Sequence, residues 1–118
     1  MALSVNMWGF HTRTGDQSNG RFATLNIDTD DGADNLLYTV PNIEGLLYAI
    51  FAISILNRSP SAAAANINIA IVPANETLGD QHWIEYNNTL VPRGVLERTQ
   101  LLGNPGDKIY IRWGTPTP

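Results

Sequence analysis

The sequence predicts an all-β fold: a single antiparallel β-sandwich, immunoglobulin-like or jelly-roll-like, with about seven to eight strands and an extended N-terminal segment. Three observations predict it. Short β-branched and aromatic runs recur along the chain. Clusters of Gly, Pro, Asn and Asp separate them at near-regular spacing. Leu46 to Val72 reads as two apolar runs around the polar turn Asn57-Arg58-Ser59-Pro60-Ser61, a long hairpin at the centre of the domain. Length fits one compact domain: 118 residues bury a core without staples. The expected organisation is an N-terminal arm or first strand over 1–20 and a sandwich over 21–118.

Taken in order, Met1 to Gly20 has no sustained period, but Trp8 and Phe10 share one side of an extended segment. It reads either as a first strand packed on the sandwich or as an arm docked on a neighbouring subunit. Phe22 to Ile27 alternates, with Phe22, Thr24 and Asn26 on one face and Ala23, Leu25 and Ile27 on the other. Leu36 to Val40 is a short strand that Pro41 ends by lacking a donor. In Ala64 to Val72, Ile67, Ile69 and Ile71 alternate with Asn66, Asn68 and Ala70, so the asparagines are expected outward. In Leu46 to Leu56, Phe51, Ile53 and Ile55 form one face while Ile50, Ala52 and Leu56 keep the other apolar. A strand apolar on both faces is expected to be covered on both. His82 to Tyr86 with Thr89 to Val91, Val95 to Leu102, and Lys108 to Trp113 complete the strands, and Gly103 to Asp107 is a strong turn.

Composition narrows function. No cysteine is present, which excludes disulfides, thiolate metal sites and a thiol nucleophile. Charged residues are only 15% and the net charge is −4, against the basic stripe that nucleic acid requires. The longest apolar run, about 11 residues, falls short of the ~20 that a spanning helix needs. No basic-then-apolar leader opens the sequence, so the expectation is a soluble protein made in the cytoplasm, with no membrane and no nucleic acid among its partners.

Candidate chemistry is thin. Asp28, Asp30, Asp31 and Asp34 crowd one turn, but glycine stands fifth and no glutamate closes a calcium loop, so a solvated acidic turn is the plainer reading. His82 lies near Asp80 and Glu85, a possible base without a recognisable nucleophile; Gly-x-Ser-x-Gly is absent. Glu44, Glu76, Glu85 and Glu97 are too ordinary to indicate a glycosidase pair. Trp8, Trp83 and Trp113 suit either a core, a protein interface or a sugar platform. Three Asn-x-Ser/Thr triplets, at Asn57, Asn75 and Asn87, read as chance matches. Neither an enzyme nor a cofactor or metal site is expected.

A resemblance adds to this. Tyr38-Thr39-Val40-Pro41, Ile55-Leu56-Asn57-Arg58-Ser59 and Ile67 through Pro73 are followed by His82-Trp83-Ile84-Glu85-Tyr86, Leu96-Glu97-Arg98-Thr99 and Pro105 through Arg112. In that order they resemble small β-sandwich virion proteins of tailed bacteriophages, marine and cyanophage-like ones above all. The resemblance covers roughly Tyr38 to Trp113 and rests on turn-and-strand patterns. It implies a non-enzymatic virion protein: a capsid decoration (cement) protein on the outer surface of the major capsid shell, or a neck, tail or fibre component. The implied partners are the major capsid protein or other virion proteins, with self-association, for example as a trimer. The reading from another class is a carbohydrate-binding β-sandwich module. The expected protein-interface residues are Trp8, Phe10 and Arg13 in the N-terminal segment, Trp83 and Trp113 as exposed aromatics, and Arg58 and Arg93 at turns.

Overall fold

The computed structural model describes residues 3–13, 16–28, 32–42, 45–58 and 65–114. The described residues form eight strands and one short 3-10 turn in chain order: β1 Leu3–Arg13, β2 Asp16–Ile27, β3 Asp34–Thr39, β4 Leu46–Asn57, β5 Ala65–Val72, η1 Asp80–His82, β6 Trp83–Leu90, β7 Val95–Gly103 and β8 Lys108–Trp113. They form two four-stranded antiparallel sheets, β2-β1-β4-β7 (sheet A) and β3-β8-β5-β6 (sheet B). The fold is therefore the expected all-β sandwich.

Its connections are jelly-roll in kind. From β2 onward the chain changes sheet at every step except β5 to β6. One departure marks it: the place between β2 and β4 is filled by β1, from the N-terminal side of the chain. The segment read as arm or first strand is thus, over Leu3–Arg13, an interior strand bonded to β2 on one side and β4 on the other.

The central hairpin of the sequence reading does not form. β4 pairs with β1 and β7 in sheet A, whereas β5 pairs with β6 and β8 in sheet B. The two apolar runs face one another across the core instead of lying side by side. Asn57 holds the end of β4 elsewhere: its backbone N–H donates to the Gly94 carbonyl at 3.0 Å, its carbonyl accepts from Arg93 N–H at 2.7 Å, and its buried side chain donates to the Leu90 carbonyl at 3.0 Å.

Leu3, Val5 and Met7 of β1, Phe51, Ile53 and Ile55 of β4, Ile67 and Ile69 of β5, and Ile109, Ile111 and Trp113 of β8 make the core. Each buried Ile contributes about 1.5–3 kcal/mol. The core between β1 and β4 also depends on Gly9. A Cβ there would strike the Ile50 carbonyl oxygen and the Phe51 backbone, so the two strands approach as only glycine allows.

The two sides of the sandwich are laced by side chains. On one, His11, Phe22 and Tyr38 stack, with ring centroids 4.3 Å apart for His11–Phe22 and 5.2 Å for Phe22–Tyr38, and His11 Nε2 lies 2.9 Å from the Tyr38 hydroxyl. Burial pushes the Tyr38 hydroxyl pKa up. On the other, Arg98 of β7 donates to the Ile84 carbonyl at 2.9 Å and to Glu85 Oε1 at 2.8 Å, both on β6.

All four edge strands carry extra residues against their neighbours, one each in β2, β3 and β7 and two in β6. These bulges explain where simple alternation fails. In β2 the extra residue is Phe22, which turns inward with Ala23 and Leu25 instead of outward with Thr24. In β7 the irregularity around Thr99 and Gln100, with Gln100 at φ 58, moves Leu101 inward and leaves Gln100 and Leu102 outward.

Candidate functional site

The outward faces of the two sheets differ, and the difference reverses the expectation for β4 and β5. β5 is the strand covered on both sides. Asn68, Ala70 and Val72, expected outward or unremarkable, are buried on its outer face. Asn68 is satisfied there: its amide donates to the carbonyls of Gly114 at 2.7 Å and Arg112 at 3.4 Å, and its Oδ1 accepts the Asn87 N–H. Trp83 lies opposite Ala70 in register, and Arg112 stacks on its ring, 4.9 Å from the centroid.

β4 is the strand left open. Its outward residues Tyr48, Ile50, Ala52, Ser54 and Leu56 are half-buried or exposed, because β1 joins its edge rather than its face. The register places Phe10 beside Ile50, Trp8 beside Ala52 and Leu102 on the far side of Ile50. Together they form an apolar surface in the middle of sheet A. A hollow of about 240 Å³ opens on it between Trp8, Phe10, Ile50, Ala52 and Gln100, over the Gly9 backbone. Among the described residues, four of the seven large apolar side chains exposed to solvent lie on this outer face: Trp8, Leu56, Val95 and Leu102, the last 57% exposed. Two charges of opposite sign frame it. Arg21, on edge strand β2, sits over the Trp8 ring at 5.9 Å, and Glu97 lies on edge strand β7 opposite Ser54.

The expected interface residues fall in separate places. Trp8 and Phe10 come together on the open face. Arg13 lies at the end of β1, and its side chain is outside the described residues. Arg58 and Arg93 both lie beside Asn57 at one end of the sandwich; Arg58 is 3.6 Å from Asp28, and Arg93 has φ 61 in its turn. Trp83 is on the outside of sheet B. Trp113 is corrected: it is 3% exposed and belongs to the core, because the inward alternation of β8 runs through to its last residue. The three tryptophans therefore share no surface, and one ring face of Trp83 is taken by Arg112, so they make no common sugar platform. Ile50, Ala52, Gln100, Leu102 and Arg21 were not among the expected interface residues. The apolar outer face of Leu46 to Leu56 was the signal for Ile50 and Ala52; nothing local pointed to Arg21, Gln100 and Leu102.

The polar candidates are engaged internally. His82, buried, accepts the Gly79 N–H on Nδ1 at 2.9 Å and meets Glu76 Oε1 through Nε2 at 2.9 Å, not Asp80 or Glu85. Glu85 is held by Arg98 and by Asn88 at 3.1 Å. Burial pushes its pKa up, but these bonds and the Arg98 charge outweigh that and leave it below its ordinary value. Of the acidic turn, Asp34 accepts from Arg112 at 2.7 Å and Asp28 pairs with Arg58; Asp30 and Asp31 lie outside the described residues. Among the described residues no three His, Asp or Glu side chains gather as metal ligands. The triplet at Asn57 has its asparagine side chain buried.

Comparison with protein-family models, curated proteins and solved structures finds no match to this chain.

Proposed function

We propose that this chain is a non-enzymatic structural subunit that works assembled with other protein chains, and that its setting is the virion of a tailed phage, as a decoration protein on the outer surface of the capsid shell. The observation that carries the structural role is the open apolar face of sheet A. Exposed apolar surface gathered in one place marks a protein contact. Trp8 with Arg21 over its ring supplies the residue types enriched in such contacts. Lacing on both sides of the sandwich suits a brace that must hold its shape. The phage setting rests on the resemblance over Tyr38 to Trp113, and the jelly-roll order, common among viral coat proteins and lectins, is an analogy of fold alone.

Mechanistically, a decoration subunit needs little affinity per contact. Many copies on one lattice, each touching more than one neighbour, add by avidity. Mass spectrometry of purified particles with copy-number quantification tests the setting. Hundreds of copies per particle support decoration. A handful shifts the role to neck, tail or fibre. Absence from particles overturns the virion reading.

A further inference from the structure

We infer that the open face of sheet A is a self-docking surface, and that a second copy of this chain covers it face to face about a two-fold axis parallel to the strands. The inference rests on the proposed role as an assembled subunit and names the occupant of that face.

The order of sheet A makes the face self-complementary. A two-fold axis along the strands, midway between β1 and β4, places β1 of one copy over β4 of the other, and β2 over β7. Because this rotation preserves position along the strand, Trp8 of one copy lands on Ala52 of the other, and Phe10 lands on Ile50. A large ring thus meets the smallest side chain on the face, at the hollow that Ala52 floors. The same operation carries Arg21 over β7 at the level of Gln100. Glu97 lies there one outward position away, about 7 Å along the strand, within reach of an arginine side chain. Both edges of the pair are then closed by an Arg21–Glu97 contact, two per dimer. Within the four strands Arg21 and Glu97 are the charged groups among the described outward residues, and the exposed pair Asp28 and Arg58 lies just past the ends of β2 and β4. Slight rotation from the sheet twist, about 30°, leaves these neighbours together.

Two further observations favour the face over the edges. Every edge strand is bulged, which disfavours strand-to-strand joining. The face is also large enough. Four strands span about 19 Å and Tyr48 to Leu56 spans about 27 Å, a footprint of about 500 Å² per partner, or about 1,000 Å² in total, which reaches the lower size of a specific interface.

Analytical ultracentrifugation of the purified full chain, from micromolar to hundreds of micromolar, tests this. A concentration-dependent dimer is expected. Ile50→Lys should weaken it by about a hundredfold or more. Arg21→Glu and Glu97→Arg should each weaken it by about fivefold or more, and the double exchange should recover most of the loss. Circular dichroism and the unfolding midpoint verify that each variant is folded; these positions are at the surface. A folded chain that stays monomeric at every concentration overturns the inference. So does a dimer indifferent to Ile50→Lys, a double exchange no better than its parents, or a monomer whose face binds purified capsid shells. A monomer found in many copies on particles would overturn the pairing and leave the structural role standing. A dimer that behaves as described but is absent from particles would do the reverse.

Discussion

Arg98 and Glu85 join the two sheets at one side of the sandwich, with Nη1 and Oε1 2.8 Å apart. The carboxyl pKa lies below the ordinary 4.5, because the Arg98 and Asn88 bonds overcome the burial that raises it. A depressed carboxyl stabilises the fold above its unfolded pKa and loses that contribution as pH falls through the folded value. Urea unfolding should therefore show stability declining as pH drops below about 4.5. Arg98→Met should remove this part of the acid limb and cost about 1–3 kcal/mol at neutral pH, since Glu85 is left half-buried without its partner. An acid limb unchanged in Arg98→Met would sink the assignment.

Gly9 should tolerate no side chain. Gly9→Ala drives a Cβ into the Ile50 carbonyl oxygen, which is backbone and cannot swing aside. A loss of about 3 kcal/mol or more is expected in chemical denaturation. Gly20→Ala is a contrast: nothing surrounds its Cβ, and only the backbone at φ 134 is strained.

Removing Met1 to Gly20 should abolish folding rather than free an arm. β1 lies between β2 and β4, so its loss splits sheet A and strips Leu3, Val5 and Met7 from the core. The shortened chain should be insoluble, or give a collapsed amide proton spectrum. A well-dispersed spectrum would contradict the interior placement of β1.

Asn68→Ala should cost about 2–3 kcal/mol, whereas Asn66→Ala should cost under ~0.5 kcal/mol. The first leaves the Asn87 N–H and the Gly114 carbonyl without their side-chain partner. The second loses a single exposed contact with Thr89 at 3.4 Å. Thermal or urea midpoints of the two variants check the difference.

Tryptophan quenching distinguishes surface from core. Acrylamide should quench Trp8, 39% exposed, far more than Trp113 at 3%. Single-tryptophan variants read each directly.

The strands were legible because β-branched runs and Gly/Pro/Asn/Asp turns mark them locally. Pairing was not. Leu46 to Val72 looked like a hairpin because nothing in two apolar runs says whether they lie side by side or face to face. That choice is made by distant partners: β1 and β7 for β4, β6 and β8 for β5. Alternation also misled where a bulge reset it, at Phe22. Asn68 defied its polarity because three backbone groups from β6 and the end of β8 converge on it, and no local pattern encodes that convergence. Of the open face, Trp8 and Phe10 were visible as neighbours on one side of a strand. Arg21, Gln100 and Leu102 join them only through the order of strands in sheet A.

That β8 lies between β3 and β5 sets a timetable for folding. β3, β5 and β6 all precede β8 in the chain, yet β3 has no neighbour in its sheet until β8 arrives. A chain grown only as far as Gly103 can form the β5–β6 hairpin but must leave β3 stranded and the core open where Ile109, Ile111 and Trp113 belong. Pairing of this kind joins distant parts of the chain and is slow. Sheet B can therefore be completed only once β8 has been made, and a chain still lacking β8 exposes the apolar surface and open strand edges that chaperones, proteases and other copies can reach.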